Sequence, residues 1–393
     1  APPIERKDLL MDAHAANEPI IDAEEIVDGF REWIELESPT DDREAVNRVA
    51  DLVERQCAEF GLVTERTPGE EGWGDLVRAR SPGNDGSEPG ILVLCHIDTV
   101  HPIGTKHSDN AIRREGDMFY GPGTYDMKSG AYLALYAYRH LIRKGGKSRL
   151  PVTFMFMSEE EVGSPFTRKH IEAEAKRAKY ALVTEPARDG GKAVVARKGV
   201  GRFVIQATGR PAHAGAKHEE GRSAIREIAR QIVAIEDMTD YARGVTFNVG
   251  TISGGTGVNV VPRECTMELD MRVLTPADGE EMTARIHALT PHDPDVTLKI
   301  EGGMNRPPYE MTPESEALFN FAREASLEHG FDLQYTTVTG GGSDGNFTAA
   351  LGVPTLDGMG ADGAGAHTLF EHVIVSSLKP RAETWVKLFE RLE

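Results

Sequence analysis

Short apolar segments that alternate with helical segments constrain the fold of this 393-residue chain most strongly. Three of the apolar segments are "LVLCHIDTV" (92–100), "PVTFMFMS" (151–158) and "YALVTEP" (180–186). Residues 22–61 and 127–143 carry apolar side chains at helical spacing. Strands that are apolar on both faces are typical of a parallel sheet covered by helices on both sides. We therefore predict an α/β fold built on a mostly parallel sheet.

A different pattern begins near residue 199, where "GRFVIQATG" alternates polar and apolar side chains as a half-exposed strand does. The segments that follow predict the order β-α-β-β-α-β, which is the ferredoxin-like plan. After residue 306 the pattern returns to that of the first part of the chain. We therefore predict one domain formed by 1–198 and 307–393, with a smaller α+β domain, 199–306, inserted into it.

Charge and composition argue against several classes of protein. The formal net charge of −19 argues against a nucleic-acid partner, which requires a basic surface. No apolar run approaches the roughly 20 residues of a membrane span, so we expect no membrane partner. The three cysteines are too far apart to suggest a disulfide framework. The opening "APPIERKDLLMDAH" lacks a signal-peptide pattern, so we expect a cytoplasmic protein, with export after removal of a signal left open.

Side chains that bind metals follow the predicted strands at their carboxyl ends, which meet at one edge of a parallel sheet. In chain order the candidates are His96, Asp98, Asp126, Glu159, Glu160, Glu161, Glu185 and His367. Carboxylates this close together repel one another and raise their pKa values, and a multivalent cation removes that repulsion. Imidazole and carboxylate ligands without thiolates suit Zn²⁺, with Co²⁺ or Mn²⁺ as alternatives.

Each candidate taken alone has an ordinary structural interpretation. A histidine at a strand end is usually a hydrogen-bonded polar residue, and acidic residues before a helix complement its dipole. Asp126 could cap a helix, and Glu185 could belong to a turn. Their coincidence at the ends of successive strands favours a metal site over these separate interpretations.

The chain resembles the M20 metallopeptidases in six motifs that occur in the family's order. These motifs are "HIDTV", "GPGTYDMKSG", "SEEEVGS", "TEP", "GRPAHAG" and "GAH". The resemblance covers nearly the whole chain and is strongest to the glutamate carboxypeptidase (carboxypeptidase G2-like) branch. It implies a zinc-peptidase catalytic domain, an inserted lid and dimerisation domain, and two Zn²⁺ ions.

The same resemblance implies a role for each candidate at the metal site. His96 and Glu185 would bind one ion, Glu161 and His367 the other, and Asp126 would bridge both through a carboxylate followed by a cis peptide bond to Met127. Asp98 would orient His96 from behind, as a metal-bound imidazole requires. Glu160 would act as the general base. Three consecutive glutamates permit a shift of these two roles by one residue, and the match of "EEEVGS" to the family's motif favours Glu160 as base and Glu161 as ligand.

Further residues are assigned to the substrate by resemblance. His213, supplied by a neighbouring subunit, would stabilise the tetrahedral oxyanion, and Asn259 would assist it. Arg272 would bind the carboxylate of the released amino acid. Gly342 and Ser343, in "GGGSDGN", would close over that carboxylate. We expect His101 and His107 to lie at the surface or at the rim of the substrate site, rather than to bind metal.

The sequence therefore predicts a homodimeric dizinc amidohydrolase that acts on a small molecule or peptide with a free carboxylate. It would release a C-terminal amino acid, such as Glu or Asp, from an N-acyl or peptidyl conjugate. An N-acyl-amino-acid deacylase with the same metal site is one alternative. A serine hydrolase is another, because "GGSDG" fits G-x-S-x-G and would pair Ser343 with Asp357 or Asp362 and His367. A non-catalytic binding protein on the same scaffold is a third.

Overall fold

The computed structural model describes residues 20–393, and the opening stretch inspected for a signal peptide lies outside them. Contacts divide the chain into two compact units. The first unit runs to Val195 and also contains Thr312–Thr336 and Leu351–Glu393; the second unit contains Ala196–Met311 and Thr337–Ala350. Among the described helices, none is long and apolar enough to cross a membrane.

Nine helices of six or more residues occur within 20–393. They are α1 (Ala23–Glu35), α2 (Arg43–Glu59), α3 (Ser129–Arg143), α4 (Arg168–Ala175), α5 (Ala224–Glu236), α6 (Pro276–His287), α7 (Pro313–Leu327), α8 (Gly345–Ala350) and α9 (Leu378–Arg391).

The strands of the same part of the chain form four sheets. They are β1 (Val63–Thr67), β2 (Leu76–Arg80), β3 (Gly90–His96), β4 (Arg113–Glu115), β5 (Met118–Tyr120), β6 (Val152–Met157), β7 (Ala178–Val183), β8 (Ala193–Val194), β9 (Gly199–Thr208), β10 (Thr246–Gly254), β11 (Glu264–Val273), β12 (Thr297–Arg306), β13 (Tyr335–Thr336), β14 (Thr355–Leu356), β15 (Gly363–Ala364) and β16 (His372–Ile374).

The first unit is built on a six-stranded sheet in the order β1-β2-β6-β3-β7-β14. Its centre is parallel as predicted, because β3 pairs in parallel with both β6 and β7, and β14 with β7. The pairs of β1 with β2 and of β2 with β6 are antiparallel, so the sheet is mixed. All six residues of β6 are buried, which explains why its sequence is apolar throughout rather than alternating.

Helices cover this sheet with apolar faces that the sequence spacing predicts. In α1 the residues Ile26, Phe30, Trp33 and Ile34 are all buried, and the side chain of Asp22 caps the helix by accepting from the backbone N–H of Glu24. Helix α1 packs against α3, which in turn packs against α9. This shell holds the carboxyl ends of β3, β6 and β7 at one edge of the sheet, where the metal-type residues follow.

The second unit contains an antiparallel four-stranded sheet in the order β10-β11-β9-β12. Helices α5 and α6 contribute Ile228, Ile235, Met282 and Ile286 to its core. The order of elements is the β-α-β-β-α-β plan that the sequence indicates.

The second unit differs from the predicted inserted domain by including 337–350, which the sequence analysis assigns to the first domain. The backbone N–H of Lys198 donates to the carbonyl of Thr339 at 3.0 Å, and the Asn346 side chain donates to the carbonyl of Pro307 at 2.7 Å. These bonds attach the segment to the second unit. The strand β13, which precedes this segment, has only two residues, Tyr335–Thr336.

Candidate metal centre

His96 ends β3 with both ring nitrogens engaged. Its Nδ1 lies 3.0 Å from the backbone oxygen of Asp98 and 3.3 Å from a carboxylate oxygen of the same residue. Its Nε2 lies 3.1 Å from Oδ1 of Asp126 and 3.5 Å from Oε1 of Glu185. The imidazole is 1% exposed. Asp98 therefore fixes the ring from one side, while its other nitrogen faces two carboxylates.

Asp126 presents its two carboxylate oxygens to two different imidazoles. Oδ1 faces His96 as described above, and Oδ2 lies 3.2 Å from Nε2 of His367. The peptide bond between Asp126 and Met127 is cis, as the family resemblance implies. This arrangement places the Asp126 carboxylate between two imidazoles.

The three consecutive glutamates point to different surroundings. Glu159 is fully buried and accepts from the backbone N–H groups of Phe166 and Thr167 at 3.0 and 2.6 Å. The next three residues, Glu160–Val162, form a single 3-10 turn. Oε2 of Glu160 lies 3.9 Å from Nε2 of His96, and Oε2 of Glu161 lies 3.0 Å from Nε2 of His367. The hydrogen bonds of Glu159 thus fix which two glutamates face the histidines.

Asp98 also connects the histidine of β3 to the glutamate turn. Its carboxylate accepts from the backbone N–H groups of Glu160 and Glu161, each at 3.2 Å, and from the Thr40 hydroxyl at 2.8 Å. One buried carboxylate therefore orients an imidazole and the turn that carries two more carboxylates.

The pKa values indicate a crowded group of charges. Burial and the neighbouring carboxylate of Asp126 raise the pKa of Glu161 to about 7. Hydrogen bonds to Asp126 and Glu161 raise the pKa of His367 to about 11. Burial lowers the pKa of His96, but hydrogen bonds to Asp126 and Asp98 outweigh it, so its pKa lies well above the ordinary value. Burial opposes ionisation of Asp126 in the same way, yet the two histidines hold its pKa well below the usual range.

The donor set fits divalent cations. Ligand atoms of His96, Asp126 and Glu161 lie within 4.8 Å of one another, and so do those of His96, Glu160 and Glu185. Oε1 of Glu161 is buried and has no hydrogen-bond partner among the described residues. A buried carboxylate oxygen without a donor is costly, and a cation would satisfy it. Imidazole nitrogens and carboxylate oxygens are the ligands that zinc accepts in the absence of cysteine.

Glu371 is not among the predicted site residues, and His101 does not lie at the surface, which is one of the two positions expected for it. His101 is buried rather than at the surface, and its Nε2 lies 2.7 Å from a carboxylate oxygen of Glu371. Glu371 is fully buried in turn. No local pattern signals this pair, because 270 positions separate its members in the chain. His107 is exposed, as expected.

The predicted substrate residues belong to the second unit. His213 and Asn259 are exposed. Their segments are adjacent, because His213 pairs with Val260 in an isolated β-bridge and the N–H of Ala214 donates to the carbonyl of Asn259 at 2.9 Å. The guanidinium of Arg272 contacts the Asp270 carboxylate at 2.6 and 2.9 Å. It also donates to the carbonyl of Gly340 at 3.1 Å.

Gly342 and Ser343 have local structural roles. A Cβ at position 342 would lie 2.6 Å from Cδ of Arg306, so any other residue would require the Arg306 side chain to shift. The Ser343 hydroxyl is buried and accepts from the backbone N–H of Gly345, where α8 begins, at 3.0 Å. A buried hydroxyl engaged in this local contact differs from the exposed nucleophile of a G-x-S-x-G turn.

Comparisons with known proteins identify relatives of this chain. The model of peptidase family M20/M25/M40 matches residues 92–391. Carboxypeptidase G2 of a Pseudomonas species is 27% identical over 96% of this chain and 90% of its own length. The succinyl-diaminopimelate desuccinylase of Cupriavidus taiwanensis is 28% identical over 79% of this chain and 84% of its own length. The crystal structure of a metallo-carboxypeptidase from Sulfolobus solfataricus superposes with a TM-score of 0.73 at 16% identity, covering 94% of this chain and 99% of that one.

Proposed function

The chain belongs to peptidase family M20/M25/M40 and is a hydrolase of the metallopeptidase type, and we propose that it is a dizinc amidohydrolase that releases a C-terminal amino acid. The released residue would be glutamate or aspartate, and the remainder an N-acyl group or a peptide. The observation that carries this proposal is the placement of Asp126, whose two carboxylate oxygens face His96 and His367 separately.

Two ligand groups follow from that placement. Asp126, His96 and Glu185 would hold one Zn²⁺, and Asp126, Glu161 and His367 the other, with Co²⁺ or Mn²⁺ as substitutes. When bound, such a pair of ions supplies an acidified water molecule and a Lewis acid for an amide carbonyl.

Glu160 is the general base in this proposal. Its carboxylate lies beside His96, at 3.9 Å, and is assigned to neither ligand group. It would take the proton of the attacking water and then donate that proton to the leaving amine. Asp98 would hold the His96 ring and the glutamate turn in fixed positions during both proton transfers.

The inserted domain would recognise the substrate and form the dimer. Asp270 orients the guanidinium of Arg272, and the planar group retains further donors for the carboxylate of the released amino acid. The exposed His213 would act in the site of a neighbouring subunit, with Asn259 beside it, to stabilise the oxyanion. Strand β10 lies at an edge of its sheet and exposes Ile252, which suits pairing with a second copy.

An N-acyl-amino-acid deacylase is the second candidate. It is favoured by the likeness to a desuccinylase, which is 28% identical over 331 residues. The serine hydrolase alternative has less support, because Nε2 of His367 is engaged by Asp126 and Glu161, and the Ser343 hydroxyl is buried and accepts from the backbone N–H of Gly345.

A substrate panel tests the proposal. Purified protein would be assayed on N-benzoyl-glutamate, folate, N-acetyl amino acids, N-succinyl-diaminopimelate and an unmodified dipeptide, each with and without chelator. We expect fastest release of glutamate or aspartate from the aroyl or peptidyl conjugates. Preference for N-acetyl or N-succinyl substrates would select the deacylase instead. Hydrolysis that resists the chelator and is stopped by a fluorophosphonate would select the serine hydrolase.

A further inference from the structure

The buried carboxylate of Glu371 has four hydrogen-bond partners close to the proposed metal ligands. Its Oε1 accepts from the backbone N–H groups of Tyr125 and Asp126, both at 2.8 Å. Its Oε2 accepts from the N–H of Gly123 at 3.0 Å and lies 2.7 Å from Nε2 of His101. Because its partner is a carboxylate, this nitrogen of His101 is assigned the role of donor.

These contacts join three segments, each of which carries a metal-type residue. His101 lies five positions after His96, the three N–H donors belong to the turn that presents Asp126, and Glu371 lies four positions after His367. Within the first unit, one carboxylate therefore connects the backbone near three of the proposed ligands. Removing it would loosen the distances between them without removing any ligand.

A buried glutamate with four donors could serve stability alone, and the chain offers a comparison for that case. Glu227 in the second unit is 2% exposed and also has a histidine partner, because its Oε1 lies 3.0 Å from Nδ1 of His292. It accepts from the His292 backbone N–H at 3.0 Å and from the Gln231 side chain at 2.8 Å. Its partners Gln231 and His292 are not among the proposed metal ligands. Glu371 differs because one of its donors is the backbone N–H of Asp126 itself.

We propose that Glu371 and His101 are positioning residues for the metal centre, which hold the Asp126 carboxylate between its two histidines. The proposal rests on the dizinc function above. Partners of this kind behind the ligands typically change metal affinity by about 10- to 100-fold when they are removed.

Four variants test this inference with Co²⁺ as the probe. Glu371→Gln replaces one acceptor oxygen by an NH₂ group that faces N–H donors. His101→Leu removes the donor, whereas His101→Gln keeps an N–H donor at a similar distance along the side chain. Glu227→Gln is the matched control. Each variant would be titrated against a competing chelator, its visible Co²⁺ absorption spectrum recorded, and its unfolding midpoint in urea measured.

We expect about 10- to 100-fold weaker Co²⁺ binding and an altered spectrum in E371Q and H101L. H101Q should recover affinity to within about threefold, since the donor returns. E227Q should lose stability while its affinity and spectrum remain those of the wild type. If E371Q does not fold, the comparison of H101L with H101Q gives the answer.

Folded E371Q and H101L with wild-type Co²⁺ affinity and spectrum would overturn the positioning role. Equal losses in H101Q and H101L would overturn it as well, because the donor would then be irrelevant. A wild-type protein that binds no Co²⁺ would instead overturn the proposed function, and this inference with it.

Discussion

Glu159, Glu160 and Glu161 are consecutive, but only Glu160 and Glu161 face the histidines of the candidate metal centre. The residue types and their place after β6 predict an acidic cluster at the edge of the sheet. The sequence does not determine which glutamate faces which group, because a shift by one residue is equally compatible with the letters. The hydrogen bonds of Glu159 to Phe166 and Thr167 make that choice, and they depend on the path of the following loop.

Glu160→Gln tests the general base. The amide cannot accept the proton of water, so we expect kcat to fall by about 10²- to 10⁴-fold with little change in KM. Zinc content should remain that of the wild type, since Glu160 is not a ligand in this account. Steady-state assays would measure kcat and KM, and metal analysis would measure the zinc content. A variant that loses its zinc would make Glu160 a ligand, and one with full activity would remove it from catalysis.

Metal affinity should rise with pH. Without a cation, His367 holds its proton up to a pKa of about 11 and Glu161 up to about 7, whereas a ligand must offer a lone pair. At neutral pH cation binding therefore displaces at least one proton, and affinity increases by about tenfold or more per pH unit. Competition titrations at pH 6, 7 and 8 would measure this slope. Calorimetry in buffers of different ionisation enthalpy gives an independent count of released protons, and a pH-independent affinity would contradict the account.

At the scale of elements, the periodic patterns predict the helices and the central strands well, because burial on one or both faces dictates them. Helix α1 and the fully buried β6 follow directly from the spacing of their apolar residues. The connections are harder to predict. The role of His101 depends on Glu371, a contact between loops with no periodicity in either segment.

The loop that carries Glu160 and Glu161 should depend on Glu159. Replacing this carboxylate in Glu159→Gln places an NH₂ group against N–H and hydroxyl donors in a fully buried site. We expect the free energy of unfolding to fall by about 1–3 kcal/mol, with a loss of kcat greater than the fraction unfolded explains. Urea unfolding and activity assays would measure the two effects. Unchanged stability would show that the loop holds its shape without Glu159.

At the scale of the whole molecule, the two-part organisation follows from the change in sequence pattern at residue 199. The assignment of 337–350 to the second unit does not, since this segment lies between stretches of the first unit in the chain. Its hydrogen bonds to Lys198 and Pro307 are tertiary contacts, which the local sequence pattern does not predict.

The proposed exchange of His213 between subunits predicts complementation. Glu160→Gln and His213→Ala homodimers should each be nearly inactive. A mixed dimer has one site with an intact Glu160 and with His213 supplied by the other chain. After the two variants are unfolded together and refolded at equal amounts, random pairing should restore about a quarter of the wild-type activity.

The controls for this experiment are the two variants refolded separately, and their mixture without unfolding. Recovery only in the co-refolded sample supports exchange. A co-refolded sample that stays as inactive as its parents would show that each subunit uses its own His213, or that the chain is monomeric, which sedimentation analysis of the same sample distinguishes.

The most direct test of the central claim is a zinc titration of the metal-free protein, with bound zinc and hydrolysis of N-benzoyl-glutamate measured in the same samples. The account predicts no hydrolysis without metal and full activity once about two equivalents of Zn²⁺ are bound per chain. Hydrolysis that persists after all metal has been removed would contradict it, and Ser343 would then be the residue to replace.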